Sequence, residues 1–168
     1  MLVERKANIT DLGFINGCVL YGARKGHYSV NADNPQIVTL MKKEIKDVVV
    51  RNKLLDKRHA GAWIFTLNSK RIGLLILSDA CLERSGKEIY AMSIAKKHQN
   101  QGYGSQLLDN LLNNYVYEDI YARCSLASQK MTQLLYRRGF RLDFMDNGYS
   151  VLIRDGIDDH AVSSYITL

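Results

Sequence analysis

Residues 99–105 read Gln-Asn-Gln-Gly-Tyr-Gly-Ser and run directly into Gln-Leu-Leu-Asp-Asn-Leu-Leu. Two glycines and small polar residues thus stand at the mouth of an amphipathic helix. The first N–H groups of a helix have no intrahelical partner, and the helix dipole favours an anion beside them. Glycines let the anion's oxygens approach the backbone, so the stretch is equipped to hold a phosphate. Two common phosphate ligands fail on the details. The dinucleotide fingerprint needs a third glycine, which Gly102-Tyr-Gly-Ser-Gln-Leu107 lacks. The Walker turn ends in Gly-Lys-Ser/Thr, whereas Gly104 is followed by Ser105 and Gln106.

Hydrophobic periodicity supplies the elements that position this turn. Residues 2–8 predict a short strand. Thr10 and Asp11 suit a helix start, and Leu12, Ile15, Cys18 and Val19 recur at helical spacing. After a loop from Gly22 to Asn31, Asn34 as N-cap and Pro35 at the first helical position open a second helix. Its apolar stripe is Ile37, Leu40, Met41, Ile45, Val48 and Val49. The runs Ala62–Leu67 and Ile72–Leu77 flank Asn68-Ser-Lys-Arg71 as a hairpin of buried strands. A strand over 88–95 leads into the glycine turn. The helix behind it extends to Asn114, with Leu107, Leu108, Leu111, Leu112 and Tyr115 inward. Residues 120–125 read as a strand, and 128–138 as a helix closed by Gly139. Residues 140–144 and 149–154 form a hairpin around Asp146-Asn-Gly148. The order β-α-α-β-β-β-α-β-α-β-β predicts a mixed α/β domain around one sheet, spanning 1–156, followed by a polar, acidic tail over 157–168.

Composition narrows the function classes. A chain of 168 residues predicts one domain with a core that needs no staples. No apolar run approaches the length of a membrane span, and the first residues lack a signal-peptide core, so a cytoplasmic protein is expected. Cys18, Cys81 and Cys124 lie far apart without a CxxC and predict reduced thiols rather than a disulfide framework or zinc site. His27, His59, His98 and His160 show no metal spacing either, so no metal is expected. The net charge of +6 points to an anionic partner. The basic residues from Lys42 to Arg58 are interleaved with apolar ones, though, as on the solvated side of a helix.

Gln99-Asn-Gln-Gly102-Tyr-Gly104 follows the pattern Gln/Arg-x-x-Gly-x-Gly/Ala, with Ile94 on a strand five residues earlier. About thirty residues on, Gln133-Leu-Leu-Tyr136-Arg-Arg-Gly-Phe140 is similar to a Leu-Tyr-x-x-x-Gly-Phe signature. Over residues 86–144 the two motifs together resemble the GNAT N-acyltransferase superfamily. The resemblance implies a mostly antiparallel central sheet flanked by helices, and acetyl-CoA as co-substrate. It implies that the pyrophosphate lies on the backbone amides of Gln101, Gly102, Tyr103, Gly104 and Ser105, helped by Gln99. Backbone groups near Met92 and Ile94 would pair with the pantetheine arm like an added strand. The strands at 88–95 and 120–125 would splay to admit the thioester. Members of the superfamily usually carry an asparagine seven residues before the tyrosine and an alanine four before it. Counted from Tyr136 these are Gln129 and Thr132, which makes Gln129 the candidate contact to the arm.

The chemistry implied is direct attack of a primary amine on the CoA thioester. At neutral pH only on the order of one lysine-type amine in 10³ is unprotonated, so a base must take a proton. The leaving thiolate needs an acid, and the thioester oxygen gains charge that a strand N–H can stabilise. The resemblance makes Glu88, eleven residues before Gln99, the base candidate and Tyr136 the acid; Asp79 and Glu83 are fallback carboxylates. Cys124 would permit an acyl-cysteine route, but direct transfer is the norm of the superfamily. The acceptor would be an amine on a small molecule, a peptide or protein, or an RNA, in a pocket lined by Arg24, Lys25, His27 and Tyr28. Two other readings differ in class. One is a non-catalytic acyl-CoA sensor on the same fold. The other is a nucleic-acid-binding module, which leaves both motifs unexplained. Dimers are common in the superfamily, with the final hairpin as the candidate interface.

Overall fold

A computed structural model describes residues 1–81 and 84–158. The strands are β1 (Leu2–Lys6), β2 (Ala60–Leu67), β3 (Lys70–Asp79), β4 (Lys87–Ile94), β5 (Ile120–Ser125), β6 (Arg141–Asp146) and β7 (Tyr149–Arg154). The helices are α1 (Leu12–Arg24), α2 (Pro35–Arg51), α3 (Tyr103–Asn114) and α4 (Gln129–Tyr136). Short 3-10 turns at Ile9–Asp11 and Lys96–His98 precede α1 and α3. The strands form one sheet in the order β1-β2-β3-β4-β5-β7-β6. Among the described strands only the β4–β5 pair is parallel; the others pair antiparallel, as the family resemblance implied.

Helices cover both faces of the sheet, which is why β3 is buried without a break from Ile72 to Ser78. On one face Ile15 and Val19 of α1 and Met41, Ile45 and Val48 of α2 pack on Ile64, Leu74, Ile76 and Ala91. On the other, the leucine pairs of α3 and Leu135 of α4 pack on Leu75, Leu77, Ile89, Met92, Ala122 and Leu152. Each Val, Leu, Ile or Met side chain among them contributes about 1.5–3 kcal/mol by leaving water. The stripe expected on α2 is only partly inward. Ile37 and Leu40 are exposed, because the helix settles onto the sheet only from Met41 onward. The β2–β3 hairpin is tighter than expected. It turns on Asn68 and Ser69, both at positive φ, as a two-residue type I′ connection requires. Glu83 and the acidic tail from Asp159, including His160, lie outside the described residues.

The N-terminal corner is tied by charge. Asn8 caps the first turn by accepting from the Thr10 N–H, and Asp11 accepts from the Asn8 N–H in return. The same fully buried Asp11 carboxylate receives two bonds from Arg5 and one from Arg71, joining β1, β3 and the start of α1.

One irregularity in the sheet decides where a site can form. Ile76 of β3 faces Ala91, and Leu77 faces Ile89, so Tyr90 is an extra residue in β4. A bulge bends its strand and raises its twist. Here it coincides with the end of pairing between β4 and β5, which extends only from Lys87–Ile120 to Ile89–Ala122. Beyond it the two parallel strands separate into a V.

Candidate active site

The V opens toward the C-terminal ends of β4 and β5, and the glycine turn stands at its mouth. Gly102 is the N-cap of α3, in the left-handed region at φ 83°, and no side chain caps the helix there. A Cβ at Gly102 would meet nothing within 4 Å, so the space before the first N–H groups is open. Asn100 is also left-handed, at φ 60°. Its Oδ1 accepts from Lys130 Nζ of α4 at 3.2 Å, which brings a cation to the rim of the turn. An uncapped helix start, an open glycine and an adjacent lysine fit an anionic ligand. Gln99 braces the turn instead of reaching outward, its Nε2 donating to the Ile94 carbonyl at 2.8 Å. Gln101 likewise donates to the Lys97 carbonyl.

The exposed edge of β4 carries the backbone groups the sequence singled out. The Ile94 carbonyl accepts from Gln99 and the Met92 carbonyl from Tyr28 Oη at 3.0 Å. Each oxygen keeps a second lone pair. The loop after α1 crosses the V to make the latter contact. Its Gly26 carbonyl accepts from Ser125 Oγ at the end of β5, and His27 Nδ1 lies 3.0 Å from Ser128 Oγ at the start of α4. Of the four loop residues expected to line a pocket, His27 and Tyr28 turn into the cleft, whereas Arg24 and Lys25 are exposed.

Glu88 sits at the closed end of the V, opposite Tyr121 of β5. It is not a free strand-end carboxylate. Arg58 donates to its Oε2 at 2.9 Å, and the same guanidinium reaches Asp56 and the Asp79 carbonyl. Lys87 pairs with Asp79, the fallback carboxylate, rather than with Glu88. Beside Glu88, Arg84 lies over the rings of Tyr121 and Phe144 at 5.2 and 4.8 Å, walling a small pocket that Arg123 also lines. Tyr90, thrown out by the bulge, donates to Glu44 of α2.

The α4 candidates, Tyr136 and Gln129, are turned differently from the residues that face α3. Lys130 reaches Asn100, and Arg138 pairs with Asp109 of α3, so the side of α4 carrying Lys130, Leu134 and Arg138 faces α3 and the turn. Tyr136 stands two residues after Leu134, about 200° round the helix, and is 48% exposed. Gln129 is also exposed, about 140° from Leu134. Neither lies on the side that faces α3. The signature is one residue out of step here: two residues separate Tyr136 from Gly139, where it has three. Aligned on Gly139-Phe140, the tyrosine position is Leu135, which is fully buried, and the earlier positions become Ser128 and Met131. Ser128 is the buried residue that touches His27. Cys124 is buried too, and burial raises its thiol pKa, which leaves it a poor nucleophile.

A family model described as an acetyltransferase (GNAT) domain matches residues 58–142, from the loop before β2 into β6. The chain belongs to the GNAT acetyltransferase family. Solved GNAT structures share its fold at low identity. The PaiA N-acetyltransferase of Thermoplasma acidophilum, crystallised with coenzyme A, is 14% identical with a TM-score of 0.69, covering 92% of this chain and 99% of its own. The spermidine N-acetyltransferase of Vibrio cholerae, crystallised with CoA and spermine, is 18% identical with a TM-score of 0.65, covering 91% and 94%. NAA60 of Arabidopsis thaliana, bound to a bisubstrate analogue, is 12% identical with a TM-score of 0.65, covering 92% and 97%. No curated protein sequence matches this GNAT chain. Among the described residues no helix is long and apolar enough to cross a membrane.

Proposed function

We propose that this GNAT chain transfers an acetyl group from acetyl-CoA to a primary amine in the V between β4 and β5. The observation that carries the reading is the conjunction of a bulge-split strand pair with an uncapped, glycine-opened helix start at its mouth. The N–H groups of Gln101 to Ser105 would hold the pyrophosphate, with Lys130 at the rim. The open edge of β4 at Met92 and Ile94 would align the pantetheine arm. Acetyl-CoA supplies the activated acyl group; the protein supplies orientation and proton handling. Glu88 would receive the amine proton, directly or through water, with Arg58 donating to its Oε2. The acceptor would enter past His27 and Tyr28 on one side and the Arg84–Phe144 wall on the other.

Calorimetry with acetyl-CoA, followed by thiol release against spermidine, a lysine peptide and an N-terminal peptide, tests this. Micromolar binding and amine-dependent thiol release are expected. Gly102→Glu should weaken binding at least about tenfold, or about 1.4 kcal/mol, by placing a carboxylate at the phosphate position. Unchanged affinity in that variant would remove the assigned site.

A further inference from the structure

β6 carries a bulge of its own, and it shapes the wall of the pocket beside Glu88. Leu142 faces Leu152 of β7 and Phe144 faces Val151, so Asp143 is an extra residue in β6. In a regular strand Asp143 and Phe144 would point to opposite faces. The bulge lets both reach one group. Arg84, from the β3–β4 connection, donates to Asp143 Oδ2 at 2.5 Å, and its guanidinium carbon lies 4.8 Å from the centre of the Phe144 ring. The ring of Tyr121 on β5 stands 5.2 Å from the same carbon. One carboxylate and two aromatic rings, all borne on strands, thus surround a single cation. The pocket they wall also contains Glu88.

The cation that fills this box is the chain's own side chain, and its hold is weak. The Arg84 side chain is 37% exposed, where neither an ion pair nor a cation–π contact contributes much. Other charges beside the pocket are paired within the fold, Arg123 with Asp146 and Arg58 with Glu88 and Asp56. Asp143 takes its cation from Arg84. Rotating Arg84 into water therefore leaves an anion beside two aromatic faces, which is the environment an ammonium or guanidinium prefers. With Arg84 in place the space left is about 30 Å³, room for a water but not for an organic cation. An incoming charge can enter the box only as Arg84 leaves it.

We propose that Tyr121, Phe144 and Asp143 form a subsite for a second cation on the acceptor, and that Arg84 occupies it in the acceptor's absence. The inference rests on the acetyl-transfer reading above, with the reacting amine at Glu88. It adds the acceptor's chemical class: a primary amine with a distal guanidinium or ammonium. Arg84 competes for the subsite and does not bind the acceptor. A box that Arg84 fills about nine-tenths of the time binds an added cation about tenfold more weakly than an empty one.

The test is calorimetry of the full chain with agmatine, which carries an amine and a guanidinium, and with butylamine, which carries the amine alone. In Arg84→Ala the agmatine dissociation constant should fall about tenfold, while that of butylamine stays within about twofold. Adding Phe144→Leu should give back about threefold of that gain, and adding Asp143→Asn about as much. Phe144 and Asp143 are both exposed, so these variants keep the core intact. In thiol release with acetyl-CoA, Arg84→Ala should lower KM for agmatine and not for butylamine. Agmatine binding that is unchanged or weaker in Arg84→Ala would make Arg84 a fixed wall and overturn the proposal. A gain untouched by Phe144→Leu would be plain charge attraction and would overturn it too, as would no measurable agmatine binding by Arg84→Ala. Failure of the parent protein to bind acetyl-CoA would instead sink the transfer reading, and the acceptor role of the box with it.

Discussion

Replacing Asp11 by asparagine should unfold the N-terminal corner at a cost the structure lets one work out. The carboxylate is fully buried and accepts four bonds: two from Arg5 at 2.7 and 2.8 Å, one from Arg71 at 2.7 Å, and one from the Asn8 N–H at 2.9 Å. Bonds to charged groups contribute about 1.5–3 kcal/mol each. Both arginines are more than a third exposed and regain water when released, so only part of that sum is lost. Removing one partner of a buried ion cluster costs about 3–5 kcal/mol, and partial exposure places this site near 3. For a chain of this length that lowers Tm by about 6–12 °C. Arg5, then the Asn8 N–H and Arg71, hold the carboxyl well below the usual range, against the opposing effect of burial. A depressed folded pKa gives stability that is complete above the unfolded value of about 3.9 and fades as pH falls toward the folded one. At pH 3 the unfolded aspartate is mostly protonated, so the deficit of Asp11→Asn should shrink by about 1.3 kcal/mol relative to pH 7. Urea melts of both proteins at the two pH values read this directly. A loss under about 1 kcal/mol at pH 7, or an equal deficit at both, would refute the account.

Glycine geometry and thiol burial give two further outcomes. Gly86→Ala should lower stability by about 2–3 kcal/mol, because φ is 105° and the new Cβ would lie 2.3 Å from the Asp119 carbonyl oxygen. Gly102→Ala, strained in φ but with open space around it, should cost only about 1–2 kcal/mol; thermal melts that rank the two the other way would contradict these geometries. At pH 8 a thiol reagent should label the partly buried Cys81 first. Burial pushes the Cys18 thiol up to about 11, so Cys18 should react more slowly, and burial also raises the thiol of Cys124, which should react only on unfolding. Labelling of all three thiols at one rapid rate in the native protein would contradict this order.

What the sequence revealed and what it hid divide by the range of the interactions. Element order, the α3 turn and the two-faced burial of β3 rest on local periodicity and capping, and they were legible. The bulge at Tyr90 was not, since an extra residue in a strand is defined by its partner strand, here Leu77 against Ile89. The α4 assignment shows how exacting a helix is. A slip of one residue turns a side chain by about 100°, enough to move a hydroxyl from cleft to solvent. Leu135 carried the warning, because it continues the inward line of Ser128 and Met131 whereas Tyr136 does not. Tyr28 was hidden for the opposite reason. Its partner is 64 residues away in sequence, and its only local trace is Gly22, a glycine at a helical position where nothing local asks for one. The crossing of the α1–α2 loop over the V, through Tyr28 on Met92 and Gly26 on Ser125, is a contact between halves of the chain that no local pattern encodes.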